Sequence, residues 1–498
     1  MNLHKTLVAA AVCSAVMITT GCSTTTPTAA QSTVSQTATI DYNQQANQLF
    51  DDIFKENVMA SPEYQTYLGI KQDYGKWDPM TEAASAQALA RSKSQLARLG
   101  QLDSNQLDQQ TALSLQLFKQ ALQNEIDDYQ WRHYNYPLNQ MYGVHSNLPS
   151  FLINQHQIDN VSDAKAYISR LQGIPEQINQ LDEALKIRAK KGIIAPKFVF
   201  PYVISDSQNI IKGAPFTQGQ DSPLWADFKA KVAKLDIDAT QKQQLLTQAK
   251  NALIEQVKPA YQKMIRFVSQ LQEVADNRDG VWKFPQGQQF YNNALKRTTT
   301  TDLDAQTIHQ LGLSEVARIH NEMRQIMQQV NFDGSLAEFF VFMREDPQFY
   351  YANDAAGKAA YLKQAKQYIS VMESRLDEVF NIKPKASMIV KPVEAFREKS
   401  AGKAFYNAPT PDGSRPGTYY ANLYDMKAMP SYQMEALAYH EGTPGHHMQI
   451  AIAQELEQLP QFRRFGSYTA ILKAGDYIVN ISLKRWACTK IPTVILAV

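Results

Sequence analysis

Seven stretches of this chain, around residues 44–57, 82–99, 104–128, 162–190, 223–277, 303–330 and 355–380, carry apolar residues three and four apart, with Gln, Lys and Glu between them. That is the period of a helix with one face turned to a core, so the spacing predicts a mainly α fold built from long amphipathic helices. Leu89, Leu96 and Leu99 form one such row, and Tyr361, Ala365, Tyr368, Ile369 and Met372 form another. Each row is read as core rather than as a ligand surface, the usual fate of large apolar side chains. At 498 residues, 44% of them hydrophobic, a single compact core is unusual; two lobes, or one large helical domain with a deep cleft, are the natural solutions. Disorder, collagen and multi-span membrane classes are excluded by the same composition. Fifty Lys and Arg against 48 Asp and Glu leave a formal charge of +2 with no long basic run, which argues against a nucleic-acid partner.

The pattern changes after Asn381. Met388 to Val393 and Thr418 to Leu423 are short, β-branched or aromatic, and separated by Pro409, Pro411, Gly413, Pro416 and Gly417. They read as strands of a small sheet, near residues 388–423, joined by a turn-rich loop. A helix is expected to follow from Ser431, as N-cap, through Met434, Leu437 and Ala438 to His440.

The N-terminus sets the expected location. His4 and Lys5 precede the apolar stretch Leu7 to Ile18, which is too short to span a bilayer, and then come Gly21, Cys22 and Ser23. This resembles a bacterial lipoprotein signal: residues 1–21 are removed and Cys22 is lipidated, anchoring the protein in the cell envelope. Ser23 resembles outer-membrane sorting, with the protein on the periplasmic face. Residues 22–40, rich in Thr, Ser, Gln and Ala, read as a flexible tether to a domain over 41–470. Cys13, Cys22 and Cys488 leave the mature chain no pair for an internal disulfide.

Of nine histidines, three fall in His440-Glu441-Gly442-Thr443-Pro444-Gly445-His446-His447. Helical zinc hydrolases pair two His one turn apart, with a Glu beside the first, because positions i and i+4 share a face. On a straight helix this spacing fails: at about 100° per residue His446 points elsewhere, and His447 returns to the face of His440 roughly 10 Å further along. Pro444 supplies a break, lacking the N–H that would bond the carbonyl of His440, and Gly445 permits the φ values of a bulge. The expectation is that His440 and His446 hold Zn2+, with His447 as the alternative ligand or a substrate-facing group. Glu441 would take the proton of a zinc-activated water and pass it to the leaving amine. The plainer reading is a kinked helix with histidines hydrogen-bonded in a core. No Gly-rich phosphate loop with a Lys, nucleophile elbow or Cys nucleophile competes with this motif.

Arg415-Pro416-Gly417-Thr418-Tyr419-Tyr420, Asn422-Leu423-Tyr424-Asp425 and Glu435 through Gln449 resemble the bacterial domain of unknown function family 885, of zinc-peptidase-like lipoproteins. His309 to Val316 and Phe405-Tyr406-Asn407 fit it too, so the resemblance covers about residues 45–470. It implies a helical zincin-like fold similar to gluzincin peptidases, a deep cleft, and activity on short peptides. It also implies Arg415, Tyr419 and Tyr420 as substrate-binding residues of that cleft, beside His447 in its substrate-facing alternative. Strand packing is the alternative for Arg415, Tyr419 and Tyr420. A non-catalytic envelope protein that binds peptides in the same cleft is the alternative function.

The resemblance places a third ligand, a carboxylate, in a Tyr-x-Glu-Gly-Trp segment soon after Ala470, where this chain reads Ile471-Leu472-Lys473-Ala474-Gly475-Asp476. Restoring one base before the Ile471 codon and regrouping permits Y-S-E-G-W-G-L-Y-S-E-Y-L-A. The expectation is that 471–498 is out of frame, that the glutamate stands where Lys473 is now, and that the chain is truncated and impaired. Glu455, Glu457 and Asp476 are the conceivable substitutes, the first two reading as solvated helix residues.

Overall fold

A computed structural model of the chain describes residues 41–466 and, beyond them, 468, 469, 472 and 473. The signal-like segment 1–21, Cys22 with the tether 22–40, Asp476 and the rest of 471–498 apart from Leu472 and Lys473 lie outside the described residues.

From Tyr42 onward helices dominate, and their starts are marked by side chains that accept from orphan backbone N–H groups. Ser61 opens Pro62–Tyr67 (α1), Asn160 opens Val161–Lys190 (α2), Asp304 opens Ala305–Gln329 (α3) and Asp354 opens Ala355–Glu373 (α4). Each such cap is worth about 1 kcal/mol. The stretch read as one unit over 223–277 is divided into Pro223–Ala233, Ala239–Ala252 and Lys258–Val274, because Asp238 caps a new helix and a π turn at Leu253–Val257 separates the last two. Val144–Asn154, with Pro149 inside it, and Val199–Ile210 are not among the stretches read from periodicity; both are short and rich in apolar residues.

The largest core gathers around α2, where Leu171 and Ile174 meet Tyr261 and Met264 of Lys258–Val274, all four fully buried. One row departs from the expectation of burial. On α3 only Ile326 and Met327 are buried, while Leu311, Leu313 and Val316 are each about half exposed. Residues 309–319 of that helix are all exposed.

Three strands form the sheet: β1 (Met388–Pro392), β2 (Ala404–Asn407) and β3 (Gly417–Ala421), in the order β1-β3-β2, with β1 parallel and β2 antiparallel to β3. β1 and β3 are the expected strands. β2 has only four residues, all half-buried, and so offers no alternation to read. A second core binds α4 to the sheet through Tyr361, Ala365, Ile369, Val390, Tyr419 and Ala421, and the same core takes in Met434 and Ala438 from the helix Ser431–Glu441 (α5). Truncating one of its buried aliphatic side chains to alanine is expected to cost about 2–5 kcal/mol. This core seats the end of α5 beside β3.

Candidate functional site

α5 starts at Ser431, and the N-cap place belongs to Pro430, with no side-chain capping bond. Ser431 is therefore the first helical residue and not the cap; extended Pro430 already turns the chain into the helix. At its other end α5 stops at Glu441, and a new helix, His446–Glu455 (α6), begins after the non-helical segment 442–445. The Gly442 N–H still reaches the Ala438 carbonyl at 2.9 Å, but the Gly445 N–H reaches back to Tyr439 at 2.9 Å and the His447 N–H bonds Gly442 at 3.1 Å. The Thr443–Pro444 peptide is cis.

The break falls where the sequence indicates, but glycine serves it differently. Gly445 has φ −77°, which is not left-handed. What it needs is the absence of a Cβ, which would stand 2.0 Å from the His440 carbonyl oxygen and 2.4 Å from that of Tyr439. The requirement is close backbone approach rather than left-handed conformation.

Across this break the His440 and His446 rings meet edge to face, with centroids 4.8 Å apart and planes at 81°. Glu441, next in sequence to His440, is 6% exposed. Its charge is felt by the Tyr419 phenol of β3, whose pKa is pushed well up, first by burial and then by Tyr361 and Glu441.

His447 is committed to other partners. Its Nε2 lies 3.0 Å from the Ala386 carbonyl and its Nδ1 lies 2.8 Å from the Tyr406 hydroxyl. A carbonyl only accepts, so Nε2 carries the proton and Nδ1 accepts from Tyr406, which fixes a neutral tautomer. Burial, the main cause, pushes the imidazole pKa down. Neither nitrogen is spare for a metal or a substrate. Gly417 makes this packing possible, since a Cβ there would stand 2.7 Å from His447 Nδ1 and also collide with the Tyr406 hydroxyl. Tyr406 and Ala386 were not singled out as site residues from sequence; the Arg415-Pro416-Gly417 turn was the available signal of close packing.

Glu455 closes the other side of this strut. Its carboxylate accepts from the N–H groups of Lys385 and Ala386 at 2.7 and 3.3 Å, so it is a clamp on the approach to β1 and more than a solvated helix residue. Tyr419 is fully buried in the second core, and Tyr420, 2% exposed, donates its hydroxyl to Asn154 at 2.9 Å. Both occupy packing positions. Arg415 is buried just ahead of β3, and Lys473 is exposed.

The sequence matches the family of bacterial proteins of unknown function called DUF885 over residues 62–472. The chain belongs to this family. A solved structure from Colwellia psychrerythraea resembles this DUF885 chain with a TM-score of 0.83 and 26% identity, covering 92% of this chain and 80% of that one. Another, from Shewanella oneidensis, has a TM-score of 0.59 and 16% identity over 91% of this chain and 80% of that one, a likeness of fold alone. Both are described as putative lipoproteins, the second of unknown function. No curated protein matches the chain.

Two imidazoles bonded to one tetrahedral ion at about 2.0–2.1 Å have centroids about 5 Å apart, so the His440–His446 pair of this DUF885 chain has a suitable spacing. A complete set is lacking: among the described residues no group of three His, Cys, Asp or Glu side chains is disposed to hold a metal.

Proposed function

We propose that this chain carries the site of a zinc-dependent hydrolase of peptide bonds, held at the cell envelope through a lipidated Cys22. The observation that supports the reading is the approach of His440 and His446 to 4.8 Å across the Pro444–Gly445 break, beside buried Glu441. His440 and His446 would hold the ion; zinc, when bound, polarises a carbonyl and acidifies water. Glu441 would take up the proton of the attacking water and release it to the departing amine. The tether 22–40 would hold the domain near the membrane, in keeping with the lipoprotein description of the two solved relatives.

Two imidazoles alone bind zinc weakly, and we read the carboxylate that completes the set as lost with the reading frame after Ala470. Resequencing the gene there checks that part. With the frame restored, the protein is expected to bind one zinc and to cleave a short-peptide library. His440→Ala or His446→Ala should abolish zinc binding, and Glu441→Gln should stop cleavage while zinc remains. Cleavage that survives Glu441→Gln would sink the hydrolase reading. The second reading is a peptide-binding envelope protein without catalysis. On that reading the frame-restored protein binds peptides, cleaves none, and is unaffected by Glu441→Gln.

A further inference from the structure

Three arginines are buried among the described residues, and they differ in how they are satisfied. Arg170, fully buried, donates to the Lys76 and Pro62 carbonyls and the Thr66 hydroxyl, and pairs with His156 Nδ1. Arg188, 8% exposed, donates to the carbonyls of Asn135, Ala184 and Arg132 and to Asn135 Oδ1. Arg415 is equally buried at 8%, yet among the described residues its side chain makes one hydrogen bond, to the Tyr67 carbonyl at 3.1 Å. A guanidinium offers five N–H donors, and the Arg415 nitrogens that this bond leaves unmet are not fully enclosed, so they stay open to a ligand from solvent. No carboxylate of the described residues forms an ion pair with it. The acid within electrostatic reach, Asp412, is engaged by the Ser414 N–H at 3.0 Å and hydroxyl at 2.8 Å.

The surroundings leave one side open. The phenols of Tyr67, Tyr74 and Tyr420 lie within electrostatic reach of the guanidinium. Tyr74 is occupied with the Gln157 backbone and Tyr420 with Asn154, but the Tyr67 hydroxyl makes no hydrogen bond among the described residues and its side chain is 43% exposed. Arg415 stands two residues before Gly417, a span of at most about 7 Å, and Gly417 packs on the ring of His447, the neighbour of His446.

We propose that Arg415, with Tyr67 beside it, binds a ligand carboxylate, namely the free C-terminal carboxylate of a short peptide; this rests on the peptide-hydrolase reading of the adjoining site. A carboxylate matches the guanidinium fork with two parallel hydrogen bonds and supplies the missing counter-charge. The preferred substrates are then short peptides with an unblocked C-terminus.

The test is calorimetric titration of the full chain, without added zinc, using N-acetyl-dialanine as the free acid and as its amide. The acid is expected to bind about tenfold or more tightly than the amide. Arg415→Gln should erase that preference, and Arg415→Lys, keeping charge without the fork, should retain part of it. Inorganic phosphate should compete only weakly. Equal binding of acid and amide, no binding of either, or phosphate binding tighter than the acid would each overturn the proposal. The comparison on the unmutated chain decides even if Arg415→Gln fails to fold. Acid preference without zinc binding would overturn the hydrolase reading alone; zinc binding without acid preference would overturn this inference alone.

Discussion

Gly445→Ala tests the geometry on which the candidate site depends. The added Cβ would lie 2.0 Å from the His440 carbonyl oxygen, where real Cβ atoms essentially never come within 3.0 Å, so a displacement of at least 3.0 − 2.0 = 1.0 Å is forced. The colliding atoms are backbone, of Tyr439 and of His440, which carries one of the two facing rings, so no flexible side-chain end can yield. Overpacking a core costs about 1–3 kcal/mol, and a rigid backbone neighbour points to the upper end, about 3 kcal/mol. Gly312→Ala is the control. It lies inside α3 with nothing within 4 Å of the added carbon, and replacing glycine in a helix interior should stabilise by up to about 1 kcal/mol. Urea denaturation followed by circular dichroism reads both, the two variants moving the midpoint in opposite directions. Gly445→Ala within about 0.5 kcal/mol of the parent would refute the close-approach argument.

Other substitutions probe the supports. Tyr406→Phe strands the buried Nδ1 acceptor of His447 and is expected to destabilise by about 1–3 kcal/mol, measured by the same denaturation; an unchanged midpoint would dissolve the strut. Glu455→Gln removes a charged acceptor shared by two backbone N–H groups and should cost about 1 kcal/mol, seen also as faster amide exchange at Lys385 and Ala386. His156, held neutral mainly by burial and then by Arg170, has its pKa pushed down to about 2. Its contribution is therefore complete above the unfolded value near 6.5 and is lost progressively as pH falls toward about 2, because only the unfolded ring takes up the proton. The stability gap between the parent and His156→Asn should narrow by about 2 kcal/mol between pH 7.5 and pH 5; a constant gap would contradict a neutral buried ring.

The sequence carried the long helices because each must show one wet and one dry face, and 82–99 and 162–190 lie within a residue or so of the observed helices. It failed where a helix is short and apolar overall, as in Val199–Ile210, or where four half-buried residues make a whole strand, as in β2. The exposed row of α3 shows the converse limit: periodicity states that a face is apolar and leaves open what covers it. At the site, the Pro-Gly interruption and the meeting of His440 with His446 were legible from local spacing. The commitment of His447 to Ala386 and Tyr406 was not, since both partners are distant in sequence and one is a backbone carbonyl.

The strand order β1-β3-β2 also has a consequence in time. The middle strand is the last to be synthesised, so β1 and β2 leave the ribosome with no neighbour to bond until residues 417–421 follow. Upstream helices can pack first through local contacts, while the sheet must wait for its centre. The paired imidazoles, carried on segments that emerge later still, are thus among the final parts of the described domain to assemble, and a chain stalled before residue 417 would hold two orphan strands exposed to pairing with strangers.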